Sequence, residues 1–398
     1  FISSQIIKDK KTKFNIYINQ NNFKSKSEDR KEDFLNTKLT YNQKLLKNSI
    51  DSNLFFETNS GNLPQQEFTF LEVEPGLGNY KWIDINGNNI QELEEFEIAV
   101  FEDEGRYIRV LLPNQIYIRT YQNKLNYSLN LNFIKWKNSD LGLNKFLSKI
   151  SNQFQYSLDK KTNLDINPNI ELIPFRIDEN SLLAYNYSLK NVIYFNKAEQ
   201  KYSLSYTFLE NKSKNNFSFG STKGSMLINK INFSHKIGDL YLIEIVSNNQ
   251  NKSNWSENFQ DKNYEIEDYS INPKLTYFSG ENNRINFFYK FSDINNKIGN
   301  REFLKQKYFG LKIFLNQKEK RGFISEFNYF KNEYTGDINS IISYIIMNGL
   351  QKGENYTWSF KLQRKISKLL DINFIYAGRK SNSLKTIHNG SIQLKAIF

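Results

Sequence analysis

Large apolar residues recur at every second position along much of this chain, with polar residues filling the alternate places. Between 355 and 380, Tyr356, Trp358, Phe360 and Leu362 alternate with Thr357, Ser359, Lys361 and Gln363. Leu370, Ile372, Phe374 and Tyr376 carry a second apolar row. The same period runs through Tyr202, Leu204, Tyr206 and Phe208, through Ile285, Phe287, Tyr289 and Phe291, and through Phe309, Leu311, Ile313 and Leu315. A period of two, bounded by Asn, Gly, Asp and Ser, marks β-strands. Helical periodicity is almost absent.

The pattern predicts an all-β chain of about 14–20 strands, within the range that transmembrane barrels span. Its connectors are uneven. Residues 279–283 and 365–370 read as tight turns, and 247–263, 292–300 and 378–389 as longer polar connections. Two architectures fit alternation of this kind. A soluble sandwich turns the aromatics inward, and a membrane barrel turns them outward to lipid. A sandwich of this length would ordinarily divide into domains, yet no Pro/Gly-rich linker follows residue 115. The expectation is therefore an antiparallel transmembrane β-barrel. Tyr356, Trp358, Phe360, Leu362, Leu370, Ile372, Phe374 and Tyr376 would face the membrane, and Thr, Ser, Lys, Gln and Asn would line a hydrated lumen. Residues 1–58 would form the first strands, 59–115 an acidic loop or insert, and 116–398 the main barrel.

Composition agrees with this picture. Only 39% of the 398 residues are hydrophobic, but 15% are aromatic, with 33 Phe and 24 Tyr. Barrels that alternate apolar and polar residues and carry aromatic girdles have this balance, although a compositional bias toward Asn, Lys, Ile and Phe contributes. The net charge of +12 raises the question of nucleic-acid binding. The Lys residues are dispersed among Glu and Asp, so solvated faces are expected and no nucleic-acid partner. No disulfide or thiol site is possible without Cys. The longest nearly apolar run, 340–350, is short of the ~20 residues a spanning helix needs, whereas barrel strands need only ~9–11.

Residues 59–115 break the rhythm and are acidic within a basic chain. They contain "DINGNNIQELEE", 84–95. Calcium loops place oxygens at positions 1, 3, 5, 7, 9 and 12 of twelve. Counting from Asp84 gives Asp84, Asn86, Asn88, the Ile90 carbonyl, Glu92 and Glu95. Asn89 stands at the sixth position, where a sharp turn is needed, and Gly78 and Gly87 read as turn residues. Calcium is thus the candidate ligand, and the other reading is an Asn/Gly turn in an exposed acidic loop.

The stretch "GNYKWIDINGNNIQELEEFEIAVFEDEGRYIRV" (78–110) resembles a motif in large, poorly characterised outer-membrane proteins of Bacteroidota. Residues 349–381 and "IHNGSIQLKAIF" (387–398) resemble the carboxy-terminal barrel strands of the same proteins. The resemblance covers about a quarter of the chain. Where the family loop has Asp and Gly, this chain has Asn88 and Asn89, a departure that weakens a calcium site. The resemblance implies an outer-membrane location in a Gram-negative envelope, with lipid and the barrel-assembly machinery as partners. In such barrels the terminal aromatic, here Phe398, is the assembly signal. Family members are much longer, and a chain starting at Phe1 reads as a processed product or the carboxy-terminal part of one.

Catalytic chemistry is not expected. His235, near Asp239, and His388 at the start of the last strand are the chain's two His. They lack the Ser or Asp constellation that hydrolytic barrels use, and no phosphate-cradling or zinc spacing occurs. The expected function is passage of solutes or polypeptide through a polar lumen. The alternatives are a surface or structural barrel whose loops bind a surface or periplasmic protein, and a soluble all-β adhesin.

Overall fold

A computed structural model describes residues 2–9, 11–25, 30–64, 67–112, 117–166, 178–197, 199, 201–217, 220–280, 282–317, 321–367, 370–382 and 384–396. The chain opens with β1 (Ile2–Lys8), β2 (Thr12–Ser25), β3 (Arg30–Leu45) and β4 (Ile50–Pro64). Four short strands follow: β5 (Glu67–Glu72), β6 (Tyr80–Trp82), β7 (Phe96–Ile98) and β8 (Tyr107–Leu112). Then come β9 (Tyr117–Asn132), helix α1 (Gly142–Leu147), β10 (Ile150–Asn163), β11 (Leu182–Phe195), β12 (Tyr202–Phe217) and β13 (Gly220–Ile237). The chain continues with β14 (Tyr241–Ser256), β15 (Tyr264–Ser279), β16 (Asn283–Asn296), β17 (Phe303–Gln317) and β18 (Arg321–Thr335). After helix α2 (Ile341–Ile346) it ends with β19 (Gly353–Lys365), β20 (Leu370–Ser381) and β21 (Ile387–Ala396).

All the long strands form one 17-stranded sheet in which sequence neighbours pair, and β4 pairs β9 across the short strands. Each of its ladders is antiparallel, from β1–β2 to β20–β21. Among the described residues, no ladder joins β1 to β21. The fold class is therefore all-β and antiparallel. Strands β5–β8 form a separate four-stranded sheet, an insert between β4 and β9. Residues 59–64, assigned from the sequence to the acidic segment, pair with β9 in the large sheet.

Directly paired residues share a face, so the registers define two surfaces. One carries Leu275, Phe287, Leu311, Phe327 and Trp358 across successive strands. The other carries Ser203, Ser234, Glu244, Lys274 and Phe288, then Gly310, Asn328, Thr357 and Arg379. On the first face Phe287, Phe309 and Phe327 are 50%, 50% and 49% exposed, as large apolar residues in water-soluble cores are not.

The apolar band covers only part of each strand. In β17 it runs through Leu315, Ile313, Leu311 and Phe309 and then gives way to Lys307 and Lys305. In β12 it runs through Leu204, Tyr206 and Phe208 and then gives way to Glu210, Lys212 and Lys214. A membrane strand needs about 9–11 residues, and these strands have 15 and 16. The polar stretch 247–263, expected as a connector, is β14 as far as Ser256, and 292–296 belong to β16. Both faces turn polar once a strand rises past the apolar band, which erases the alternation that sequence reading depends on.

Connections β1–β2, β3–β4, β11–β12, β13–β14, β15–β16, β17–β18 and β19–β20 are short and lie at one end, the turn end, with the longer β9–β10 connection and α1. The insert, α2 and a 3-10 turn (Gln260–Lys262) lie at the other, the mouth end. There the polar face bears a core: Tyr264, Ile266, Ile294, Leu304 and Tyr334 of β15–β18 receive Ile342, Ile346 and Met347 from α2 and its end. The apolar run 340–350 is thus spent on packing a mouth loop against the wall. Ser340 starts that helix, its hydroxyl accepting from the Ser343 N–H at 3.1 Å.

Candidate functional site

The polar face is tied together across strands by short side chains. Asn15 donates to Thr40 at 3.0 Å, Ser157 to Asn126 at 2.7 Å, and Asn328 to Thr357 at 3.1 Å. Ser203 and Ser234 share a 2.7 Å bond. Charges on this face pair with neighbours: Lys274 with Glu244 at 2.5 Å and Lys312 with Glu326 at 2.7 Å. Such a surface holds its hydrogen-bonding groups in fixed positions and stays wettable. Gly310 lets the Phe288 ring lie flat on its strand, since a Cβ there would sit 2.2 Å from Phe288 Cζ.

The apolar face is finished by aromatic margins. Tyr329 and Tyr356 pair at 5.2 Å, and Tyr289 and Phe309 at 4.6 Å, on the mouth side of the band. Tyr241 and Tyr277 pair at 5.4 Å on the turn side. The eight residues read from the sequence as membrane-facing share this one face, because Phe360 pairs Tyr376, Leu362 pairs Phe374, and Trp358 pairs Gly378. A Cβ on Gly378 would meet the Trp358 indole at 2.4 Å. Phe398, the sequence candidate for an assembly signal, lies outside the described residues.

The insert has its own small core. Phe70 stacks on Phe96 at 4.1 Å, and Tyr80 and Tyr107 meet these rings edge-on at 5.0 Å. Its backbones cross closely at Gly78 and Gly105, where a Cβ on Gly105 would lie 2.1 Å from the Gly78 carbonyl oxygen. Eleven acidic and three basic residues fall between 67 and 112.

The insert touches the mouth at the 3-10 turn, at α2 and along the β20–β21 border. Lys262 of the 3-10 turn donates to the Phe96 carbonyl and pairs with Glu97, both at 2.8 Å. Tyr344 of α2 donates to Glu104 at 2.9 Å and accepts from the Val100 N–H at 2.9 Å. Burial, with Glu104 adding to it, raises the Tyr344 phenol well above its ordinary range, so it stays a donor. Arg379 of β20 reaches Asp103 at 2.5 Å and Glu104 at 3.0 Å, with its guanidinium carbon 4.0 Å above the Phe101 ring.

These contacts require a curled sheet. Eleven strand spacings separate β9 from β20, about 53 Å if flat at ~4.8 Å each. A 46-residue body, 67–112, is about 20–25 Å across. The insert reaches both only if the polar face is concave.

The loop 84–95 lies on the insert. Its oxygens serve their own backbone: Asp84 accepts from Gly87 and Asn89 at 2.8 and 3.1 Å, Asn86 from Asn88 at 3.0 Å, and Asn88 from Ile90 at 2.6 Å. Asn89 takes a left-handed φ of 58°. Glu92 accepts from the Asn86 amide at 2.8 Å. Glu95, fully buried, turns inward and accepts from the Trp82 indole at 2.7 Å and the Ile85 N–H at 3.0 Å. The six candidate positions share the loop, but their oxygens do not converge on one point, and no cluster of three or more His, Cys, Asp or Glu suited to a metal occurs among the described residues. His388 pairs with the Tyr376 hydroxyl at 2.7 Å, and His235 stacks on Phe233.

Sequence reasoning missed Arg379, Phe101 and Tyr344. The available signal was Arg379 itself, a bulky cation at a wall-facing position of a strand whose apolar partners face the other way.

The sequence matches no protein-family model and no curated protein. Among solved structures, the chain is similar to OmpT, an outer membrane protein of Vibrio cholerae, at 8% identity and a TM-score of 0.41, covering 99% of each chain. It is similar to the ferric-catecholate import receptor Fiu of E. coli K12 at 10% identity and a TM-score of 0.40, covering 95% of this chain and 62% of that one. The toluene transporter TodX of P. putida aligns at 9% identity and a TM-score of 0.24, over 97% and 86% of the two chains.

Proposed function

We propose that the chain is an outer-membrane β-barrel whose polar inner surface passes solutes or polypeptide. One observation carries the reading. A curled sheet presents half-exposed Phe, Leu and Ile on its convex face and a hydrogen-bonded wall of Ser, Asn, Thr and paired Lys and Glu on its concave face. Lipid is the solvent that accepts the first face, and water is the solvent that accepts the second. The sequence likeness of 78–110 and 349–398 to Bacteroidota outer-membrane proteins is in keeping with this location. The apolar exposure weighs against a soluble adhesin.

Conductance of the purified chain in planar bilayers tests the reading. Discrete current steps are expected, and a folded, membrane-inserted chain that never conducts would remove it. A partner-binding role is the second reading, favoured by the acidic insert and its exposed loop at the mouth. Removal of 67–112 should then abolish partner capture while the large sheet still folds.

Calcium at 84–95 is a further proposal within this reading. It requires Glu95 to leave the Trp82 indole and join Asp84 and Glu92 around the ion. Calorimetric titration with calcium chloride decides it, and absence of binding heat at millimolar concentration would dismiss it.

A further inference from the structure

The polar wall explains what could pass, and the insert bears on when. Resting on the passage reading above, we propose that the four-stranded insert is a displaceable gate over the mouth. Arg379 on the wall closes it by clasping Asp103, Glu104 and Phe101 of the insert.

Position supports a gate. The insert is tethered between β4 and β9 and reaches the connection between β14 and β15, the α2 loop and β20. These anchor points are spread around the curled sheet, so the insert spans the opening. Asn389 of β21 adds a 3.5 Å contact to Glu102.

The chemistry supports displacement. The insert's ring cluster of Phe70, Tyr80, Phe96 and Tyr107 is internal to it. Its attachment to the wall is largely charge on charge. Arg379 forks between two carboxylates with its side chain only 13% exposed, a geometry specific to guanidinium. Glu104 collects Arg379, Tyr344 and the insert's own Lys81. An acidic body docked on an otherwise basic chain is drawn in by the field as well as by contact. The long-range part of this attraction weakens with salt, because charges farther apart than about 10 Å are screened at 0.1 M, while the partly buried Arg379 clasp is screened much less; an apolar interface would not respond in this way.

The test is single-channel recording of the full chain in planar bilayers at low salt. Arg379→Glu should raise time-averaged conductance about tenfold or more, the ratio expected on losing charge-assisted bonds. Exchanging the charges, Arg379→Asp with Asp103→Arg, should return it toward the starting value. The chain has no Cys, so Glu102→Cys with Asn389→Cys gives a unique pair for a short bis-maleimide. Cross-linking that pair should hold conductance low even at high salt. The gate is overturned if Arg379→Glu changes nothing, or if cross-linked and free chains conduct alike while the chain lacking 67–112 conducts freely. If no form conducts, including the chain lacking 67–112, the passage reading fails and the gate with it. Heat-dependent gel migration shared by all variants shows that each has folded.

Discussion

At the scale of single residues, environment decides what a side chain does more than its spacing does. Glu95 occupies the last position of a loop spaced for calcium, yet Trp82, thirteen residues earlier, claims one of its oxygens. Spacing showed the oxygens and hid the indole. Short Asn and Asp side chains likewise bond to backbone two residues on, as Asn86 and Asn88 do. Glu95→Ala should cost the insert about 2–4 kcal/mol, since it leaves two part-buried donors unpaired at ~1–3 kcal/mol each. Urea unfolding followed by tryptophan fluorescence of the full chain checks this, and an unchanged midpoint would mean that Glu95 is not the internal acceptor. Gly378 is similarly committed. Gly378→Ala drives a methyl into the Trp358 indole and should cost about 1–3 kcal/mol, seen as a lower temperature for the gel-mobility shift.

At the scale of elements, alternation was legible wherever one face is apolar and the other polar. It failed where strands climb past the band. β14 looks like a connector after Ser247 because Asn248, Asn249, Asn251 and Ser253 leave neither face apolar. The band itself makes a directional prediction. Leu311→Lys, in the middle of the band, should cost about 2–4 kcal/mol of folding stability in vesicles. Gln306→Lys, on the concave face outside the band, should cost far less of that membrane-dependent penalty in the same assay. Equal penalties would put lipid on neither face. Mouth elements are held differently. Glu179 bonds both Lys214 and Lys223, joining the residues before β11 to the β12–β13 hairpin, and these bonds hold its carboxyl below the ordinary 4.5. A depressed pKa gives stability that is present above the ordinary value and lost as pH falls through the folded one. Amide exchange at the β12–β13 hairpin should therefore quicken as pH is lowered below 4.5, after correction for intrinsic rates, and should be indifferent to that change in Glu179→Gln.

At the scale of the whole molecule, the strand count was legible to within a few strands, and alternation sorted the eight aromatic and aliphatic residues of β19 and β20 onto one face. The docking of the insert was not. Its partners Tyr344 and Arg379 lie 240 and 275 residues from Glu104, and no local pattern reports contacts of that range. The curled sheet should show as resistance to unboiled SDS, with boiled and unboiled samples migrating differently. Identical migration of membrane-extracted chain would indicate a sheet that stays open.

The ladders also fix a handedness of direction that no single strand reveals. Reversal at every step of a 17-strand meander leaves β1 and β21 pointing the same way, from mouth to turn end. Two copies standing the same way up therefore offer each other only like-directed borders. Neither can extend the other through the more favourable antiparallel bonding. Parity thus guards this chain against the runaway edge-to-edge growth that exposed strands invite.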